Sequence, residues 1–157
     1  MQLDTKSFPY RVGVIGVVLD RDGRFLVVQM VQYKKNEWRF PGGGVDEGEA
    51  LQDALLRELR EELGTDRFEV LKESEFINQY DWDERAVKAR FEKDGRMFRG
   101  QRQHQFLVRY TGTDEDIHLD PQELKQIRWV AREELPKLFV FRGQWQQVER
   151  VLKEFGI

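Results

Sequence analysis

The chain contains no cysteine. That excludes disulfide staples, zinc–thiolate centres and cysteine nucleophiles. Histidine is almost as scarce, with only His104 and His118 present, which disfavours a histidine-built metal centre or a Ser–His triad. A bound metal must then be held by oxygen, which selects a hard cation such as Mg²⁺. No stretch approaches the ~18 consecutive apolar residues that cross a bilayer. Met1 to Tyr10 has no apolar run of signal-peptide length and carries Asp4 and Lys6. Repeats, low-complexity tracts and Pro- or Ser-rich linkers are also missing. The expectation is one cytoplasmic domain over residues 1–157, with no membrane and no obligatory protein partner.

What is present fits a soluble globular fold. Hydrophobic residues make up 39% of the chain, and eleven Phe with four Trp can fill one core. The net charge of -3 hides an asymmetry. Between Arg85 and Arg102 stand Arg85, Lys88, Arg90, Lys93, Arg96, Arg99 and Arg102, against only Glu92 and Asp94. Two readings stay open: a solvated charged hairpin, or a groove for a polyanion.

Local patterning gives a coarse map. Tyr10 to Leu19 and Phe25 to Val31 read as strands joined in a hairpin by the turn Asp20-Arg21-Asp22-Gly23. Trp38-Arg39-Phe40-Pro41 leads into Gly42-Gly43-Gly44, which is not regular structure. A helix follows from about Ala50, with Leu51, Leu55 and Leu59 at i, i+4, i+8, and Gly64 stops it. Phe68 to Tyr80 holds one or two strands, Gln103 to Thr111 and Ile127 to Val130 one each. Glu133-Glu134-Leu135 is a possible helical turn. Gly143 to Phe155 is an amphipathic helix whose Trp145, Val148, Val151, Leu152 and Phe155 face the core. The sum is an α+β fold, a mixed sheet packed between helices.

The helix after the glycines carries Glu58, Glu61 and Glu62, three carboxylates along one ridge. The ridge overlaps the leucine stripe: on a 3.6-residue wheel Glu62 projects close to Leu55. Glu62 should therefore be partly covered. Clustered, half-covered carboxylates are costly unless a cation neutralises them. Ordinary Glu–Arg pairing, such as Arg57 with Glu61, is the plainer alternative. The glycine loop favours the cation reading, because its bare N–H groups and the helix N-terminus suit anionic oxygen.

Gly43, five residues, Glu49, seven residues, then Arg57-Glu58-Leu59-Arg60-Glu61-Glu62-Leu63-Gly64 resembles the Nudix box, G-x5-E-x7-R-E-U-x-E-E-x-G-U, where U is aliphatic. Thr65 at the last position is the one departure. The resemblance implies a Nudix fold and hydrolysis of a phosphoanhydride bond by attack of water on phosphorus. It implies that Glu58, Glu61 and Glu62, with the Gly43 carbonyl, hold Mg²⁺ (Mn²⁺ being possible). It also implies that Arg57 pairs with Glu49 and locks the loop to the helix. The general base would be Glu61 or Glu62, or Glu123 ahead of the Ile127 strand, as in RNA 5′-pyrophosphohydrolases.

Features outside the box bear on the substrate. Gly100-Gln101-Arg102-Gln103 is similar to the G-Q-x-Q element of dinucleoside polyphosphate hydrolases and RNA 5′-pyrophosphohydrolases, which makes Arg102 and Gln103 candidate substrate contacts. Phe139 and Phe141 alternate ahead of the last helix and could stack on a terminal base, or lie in the core. Two departures stand against that branch. Trp38-Arg39-Phe40-Pro41-Gly42-Gly43 lacks its glutamine before the glycines. Its basic residue late in the second strand is replaced by Gln29, Met30 and Gln32, with Lys34 or Lys35 as substitutes. The preferred substrate is a 5′-triphosphate RNA end or a dinucleoside polyphosphate. The alternatives are a (deoxy)nucleoside triphosphate, or nucleotide sensing without hydrolysis.

Overall fold

A computed structural model describes residues 4–157; the first three residues of the Met1–Tyr10 segment lie outside the described residues. The strands are β1 (Tyr10–Leu19), β2 (Phe25–Met30), β3 (Gly42–Gly44), β4 (Phe68–Asp81), β5 (Gly100–Tyr110) and β6 (Leu124–Val130). The α-helices are α1 (Leu51–Leu63), α2 (Glu84–Asp94), α3 (Leu135–Leu138) and α4 (Gln144–Phe155). The sheet runs β4-β5-β1-β2-β6, with β3 added along β1. It is mixed, because β1 and β5 are parallel while the other pairs are antiparallel.

Strand alternation divides the core into two layers. Val14, Val18, Phe106 and Val108 pack with Ala54, Leu55, Leu59 and Leu63 of α1. Val17, Phe25 and Val27 pack with Val148, Val151 and Leu152 of α4. The sheet is thus sandwiched between helices, as the sequence pattern implies.

The β1–β2 hairpin is less regular than a simple ladder. The Asp20 carboxylate accepts from the Asp22 and Arg24 N–H groups and builds the turn. The strands then pair only at Leu19 and Phe25. Beyond that point they part, and residues 39–44 fill the gap. Val28 and Arg39 exchange two backbone hydrogen bonds, Gly16 N–H donates to the Pro41 carbonyl, and Gly42–Gly44 lies antiparallel to Gly13–Ile15. The three glycines therefore form a strand rather than an irregular loop. Their flat backbone lets them lie between β1 and α1: a Cβ on Gly43 would fall 2.2 Å from the Glu58 carboxyl carbon.

The basic segment is not a hairpin. Residues 84–94 form α2, started by the Asp83 side chain accepting from Ala86 N–H and ended by Gly95 at φ 72°. Only Val87 of this helix is buried, which is why apolar periodicity did not reveal it. Helix α1 ends as expected, with Gly64 left-handed at φ 68°. Strand β4 is one long strand with two register shifts. At the second break Ser74 is buried, and Glu154 of α4 accepts from its hydroxyl and from Glu75 N–H. Among the described residues no helix is long and apolar enough to cross a membrane.

Candidate active site

The wedge of residues 39–44 brings the glycine strand, the N-terminal half of β1 and the acidic ridge of α1 to one cleft of about 640 Å³. Gly43, Glu58, Glu61 and Glu62 line it. Across from them stand Arg11 of β1, Gln101 and Gln103 of β5, and Arg90 and Lys93 of α2. Tyr33, Arg39, Asp120 and Glu123 close the β2 side.

Arg57 organises the ridge from within α1. Its Nε and Nη2 donate to the two Glu49 oxygens at 2.8 and 2.9 Å, and Nη2 also donates to the Gly44 carbonyl at 2.9 Å. Nη1 reaches Glu58 at 3.1 Å and Glu61 at 3.3 Å. The planar guanidinium thus ties the loop to the helix and aims two ridge carboxylates at once. Its hydrogen bonds hold Glu49 down to about 2.

The three glutamates sit in different surroundings. Glu61 is more than half exposed at the rim. Glu58 is mostly covered, and burial raises its pKa in spite of Arg57. Glu62 is 4% exposed. Burial pushes its pKa up to about 7, outweighing the opposing Arg39. Arg39 Nη2 donates to Glu62 Oε1 at 3.1 Å, and the guanidinium is fixed by Phe40 O and Met30 Sδ. Glu62 Oε2 is buried with no hydrogen-bond partner. A buried carboxylate oxygen without a donor is an expensive arrangement that a cation would relieve. Among the described residues no three acidic side chains already close on a single point; Arg57 and Arg39 hold them instead. The donor set is all oxygen, which suits a hard divalent ion.

Glu123 is brought to this ridge by backbone pairing. His118 N–H donates to the Leu63 carbonyl and Asp120 N–H to that of Glu62, while Glu123 N–H donates back to Asp120. Glu123 thereby lines the cleft near Glu62, and its charge contributes to raising the Glu62 pKa.

The substrate candidates divide. Gln103 lines the cleft, bonded to Asn78. Arg102 does not: β5 alternates, and this side chain is exposed beside Gln79, 3.5 Å away. Phe139 is 3% exposed and packs edge-on against Phe40 at 4.9 Å, so it is core. Phe141 is 39% exposed and meets Tyr33 edge-on at 5.2 Å, beside the cleft. The two phenylalanines do not face the same way. Lys34 and Lys35 do not line the cleft either; their carbonyls accept from buried Gln29, and Arg39 is the cation on that side. Sequence reasoning missed Arg11, Arg39, Asp120, Tyr33 and the helix bearing Arg90 and Lys93. Arg11 had a usable signal: it is the one charged residue in an otherwise apolar strand.

A carboxylate ridge under a glycine strand, facing a cationic wall, defines a hydrolase of phosphoanhydride bonds. Residues 9–151 match the NUDIX domain. The chain belongs to the Nudix family, whose hydrolases act on pyrophosphate bonds and generally use divalent metals. Among curated proteins, it is 37% identical over 164 residues to the RNA pyrophosphohydrolase of Sphingopyxis alaskensis, covering 98% of each chain. It is 35% identical to that of Rickettsia peacockii over 152 residues, 95% of this chain and 91% of the relative. Among solved structures, the E. coli dihydroneopterin triphosphate pyrophosphohydrolase superposes with a TM-score of 0.69 at 18% identity, over 92% of this chain and 99% of that one. A C. elegans Ap4A hydrolase gives 0.63 at 18%, over 92% and 95%. Similarity at that level reports the fold.

Proposed function

We propose that the protein hydrolyses a phosphoanhydride bond at the 5′-triphosphate end of RNA, with Mg²⁺ as cofactor and Mn²⁺ as a substitute. A dinucleoside polyphosphate offers the same bond. One observation carries the reading: the buried, unpartnered Glu62 Oε2 belongs to a cleft whose facing wall is cationic. The full-length relatives named RNA pyrophosphohydrolase support the RNA end over a free nucleotide.

Glu58, Glu61 and Glu62, with the Gly43 carbonyl, would hold the divalent ion. When bound, that ion neutralises the ridge and the bridging phosphate oxygens together and makes water a better nucleophile. The remaining work falls to the chain itself. Arg57, braced by Glu49, keeps Glu58 and Glu61 aimed. Arg11 and Gln103 receive phosphate oxygens, and Phe141 beside Tyr33 offers a face for a base. Glu123 takes the proton of the attacking water, with Glu61 and Glu62 as the other bases within reach. The water oxygen bonds to phosphorus while the bridging oxygen leaves with its electron pair on a phosphate. We infer a cytoplasmic enzyme from the lack of cysteine.

The test is a side-by-side assay with Mg²⁺ on a triphosphorylated RNA oligomer, diadenosine tetraphosphate and ATP. The RNA or the dinucleoside polyphosphate should be turned over most efficiently, and Glu61→Gln should abolish turnover without lowering the Tm. ATP as the best substrate would overturn the reading, and an active Glu61→Gln variant would remove that side chain from the site.

A further inference from the structure

On the α2 side of the cleft two arginines share a single carboxylate and a lysine stands beside them. Arg90 bonds Asp94 at 3.3 Å, and Arg11 approaches the same oxygen only to 4.0 Å. Lys93 stands on the same wall and has no ion-pair partner among the described residues. The Arg11 guanidinium lies directly over Gly44, where a Cβ would fall 2.4 Å from its Nη2. Burial, and then the neighbouring Arg90, push Arg11 below the usual arginine value. Like charges gathered on a concave wall repel one another unless an anion joins them.

The position of this wall says which anion. It lies on the β5–β1 side of the carboxylate ridge, whereas Tyr33 and Phe141 lie on the β2 side. A nucleotide with its base against the aromatic side lays its phosphates over the ridge and ends its chain at the cationic wall. Arg90 and Lys93 are three residues apart on α2 and share a face; Lys88, paired with Glu84, is not among the residues of the cleft wall. We propose that Arg90 and Lys93, together with Arg11, form a receptor for the phosphate farthest from the nucleoside, so that a third phosphate is bound where a diphosphate end leaves the receptor empty. The substrate in this inference rests on the function proposed above, but the receptor itself rests on the cation cluster.

The experiment compares kcat/KM on an eight-nucleotide RNA bearing a 5′-triphosphate with the same RNA bearing a 5′-diphosphate, using the full chain. The wild-type protein should favour the triphosphate by about tenfold or more, the effect of one charge-assisted contact. Lys93→Ala should lower that ratio roughly tenfold, Lys93→Arg should restore it, and Lys88→Ala should leave it unchanged. A wild-type ratio near unity, or equal losses on both RNAs in Lys93→Ala, overturns the receptor. If neither RNA is cleaved, the RNA reading fails, and the ATP-to-ADP ratio then judges the receptor by the same criterion.

Discussion

Replacing Glu62 by Gln in the metal-free protein should change how stability depends on pH. Glu62 is 4% exposed, one oxygen is held by Arg39 at 3.1 Å, and the other has no donor. Its pKa is raised from 4.5 to about 7. The folded protein therefore binds a proton more readily than the unfolded chain. The resulting stability is fully present below about 4.5 and is lost as pH rises through about 7. A gap of this size corresponds to something on the order of 3 kcal/mol. For a chain of this length that is a Tm difference of roughly 6–12 °C. His104, whose pKa is lowered by burial, contributes with the opposite sign, so the wild-type curve alone does not isolate Glu62. The difference between wild type and Glu62→Gln does, because His104 is common to both. The assay is thermal unfolding in EDTA at pH 5 and pH 8. Wild type should fall further than the variant between the two, and adding Mg²⁺ at pH 8 should raise the Tm of wild type alone. Parallel pH profiles for the two proteins would refute the argument, since a buried uncompensated charge could not then be present.

Three further substitutions separate packing from chemistry. Gly43→Ala places a carbon 2.2 Å from the Glu58 carboxyl carbon, which forces that side chain aside; turnover should fall by about a hundredfold with little change in Tm, and an active variant would mean that Glu58 need not lie where it does. Phe139→Ala should cost about 3–5 kcal/mol of stability in urea titrations, whereas Phe141→Ala should leave stability nearly unchanged and raise KM for an RNA end roughly fivefold or more; equal stability losses would contradict their different burial.

Legibility followed the strength of the local pattern. Helix α1 was readable because its leucine spacing, its glycine stop and its acidic ridge all agree, and even the burial of Glu62 followed from its place on the wheel. The sandwich was readable from strand alternation and the apolar stripe of α4. Helix α2 was not, because it buries only Val87 and owes its ends to Asp83 and Gly95. A polar helix leaves no periodic trace, so its cations were visible as composition but not as a wall. The phenylalanine pair failed for a different reason. Alternation was assumed from Phe139 to Phe141, but this segment lies between α3 and α4 and is not a strand. Arg102 failed by the opposite error: it is in a strand, and alternation turns it away from the cleft that Gln101 and Gln103 enter.

The glycine strand links these parts. Because β1 and β2 pair at only one position, residues 39–44 can enter the sheet between them. That single insertion delivers Arg39 to Glu62 and Gly43 to Glu58, while Gly44 receives both Arg57 and the packing of Arg11. An unbroken β1–β2 ladder would bury the same apolar residues but would leave the ridge facing a closed sheet. The two arginines also answer how three clustered carboxylates survive folding before any cation arrives: Arg57 takes Glu58 and Glu61, and Arg39 takes one oxygen of Glu62. What they leave unsatisfied is Glu62 Oε2 on one side of the cleft and the charge of Lys93 on the other. A cation relieves the first of those defects and a phosphate chain the second, and the two ligands attract each other, so binding of the ion and of the substrate should be mutually reinforcing.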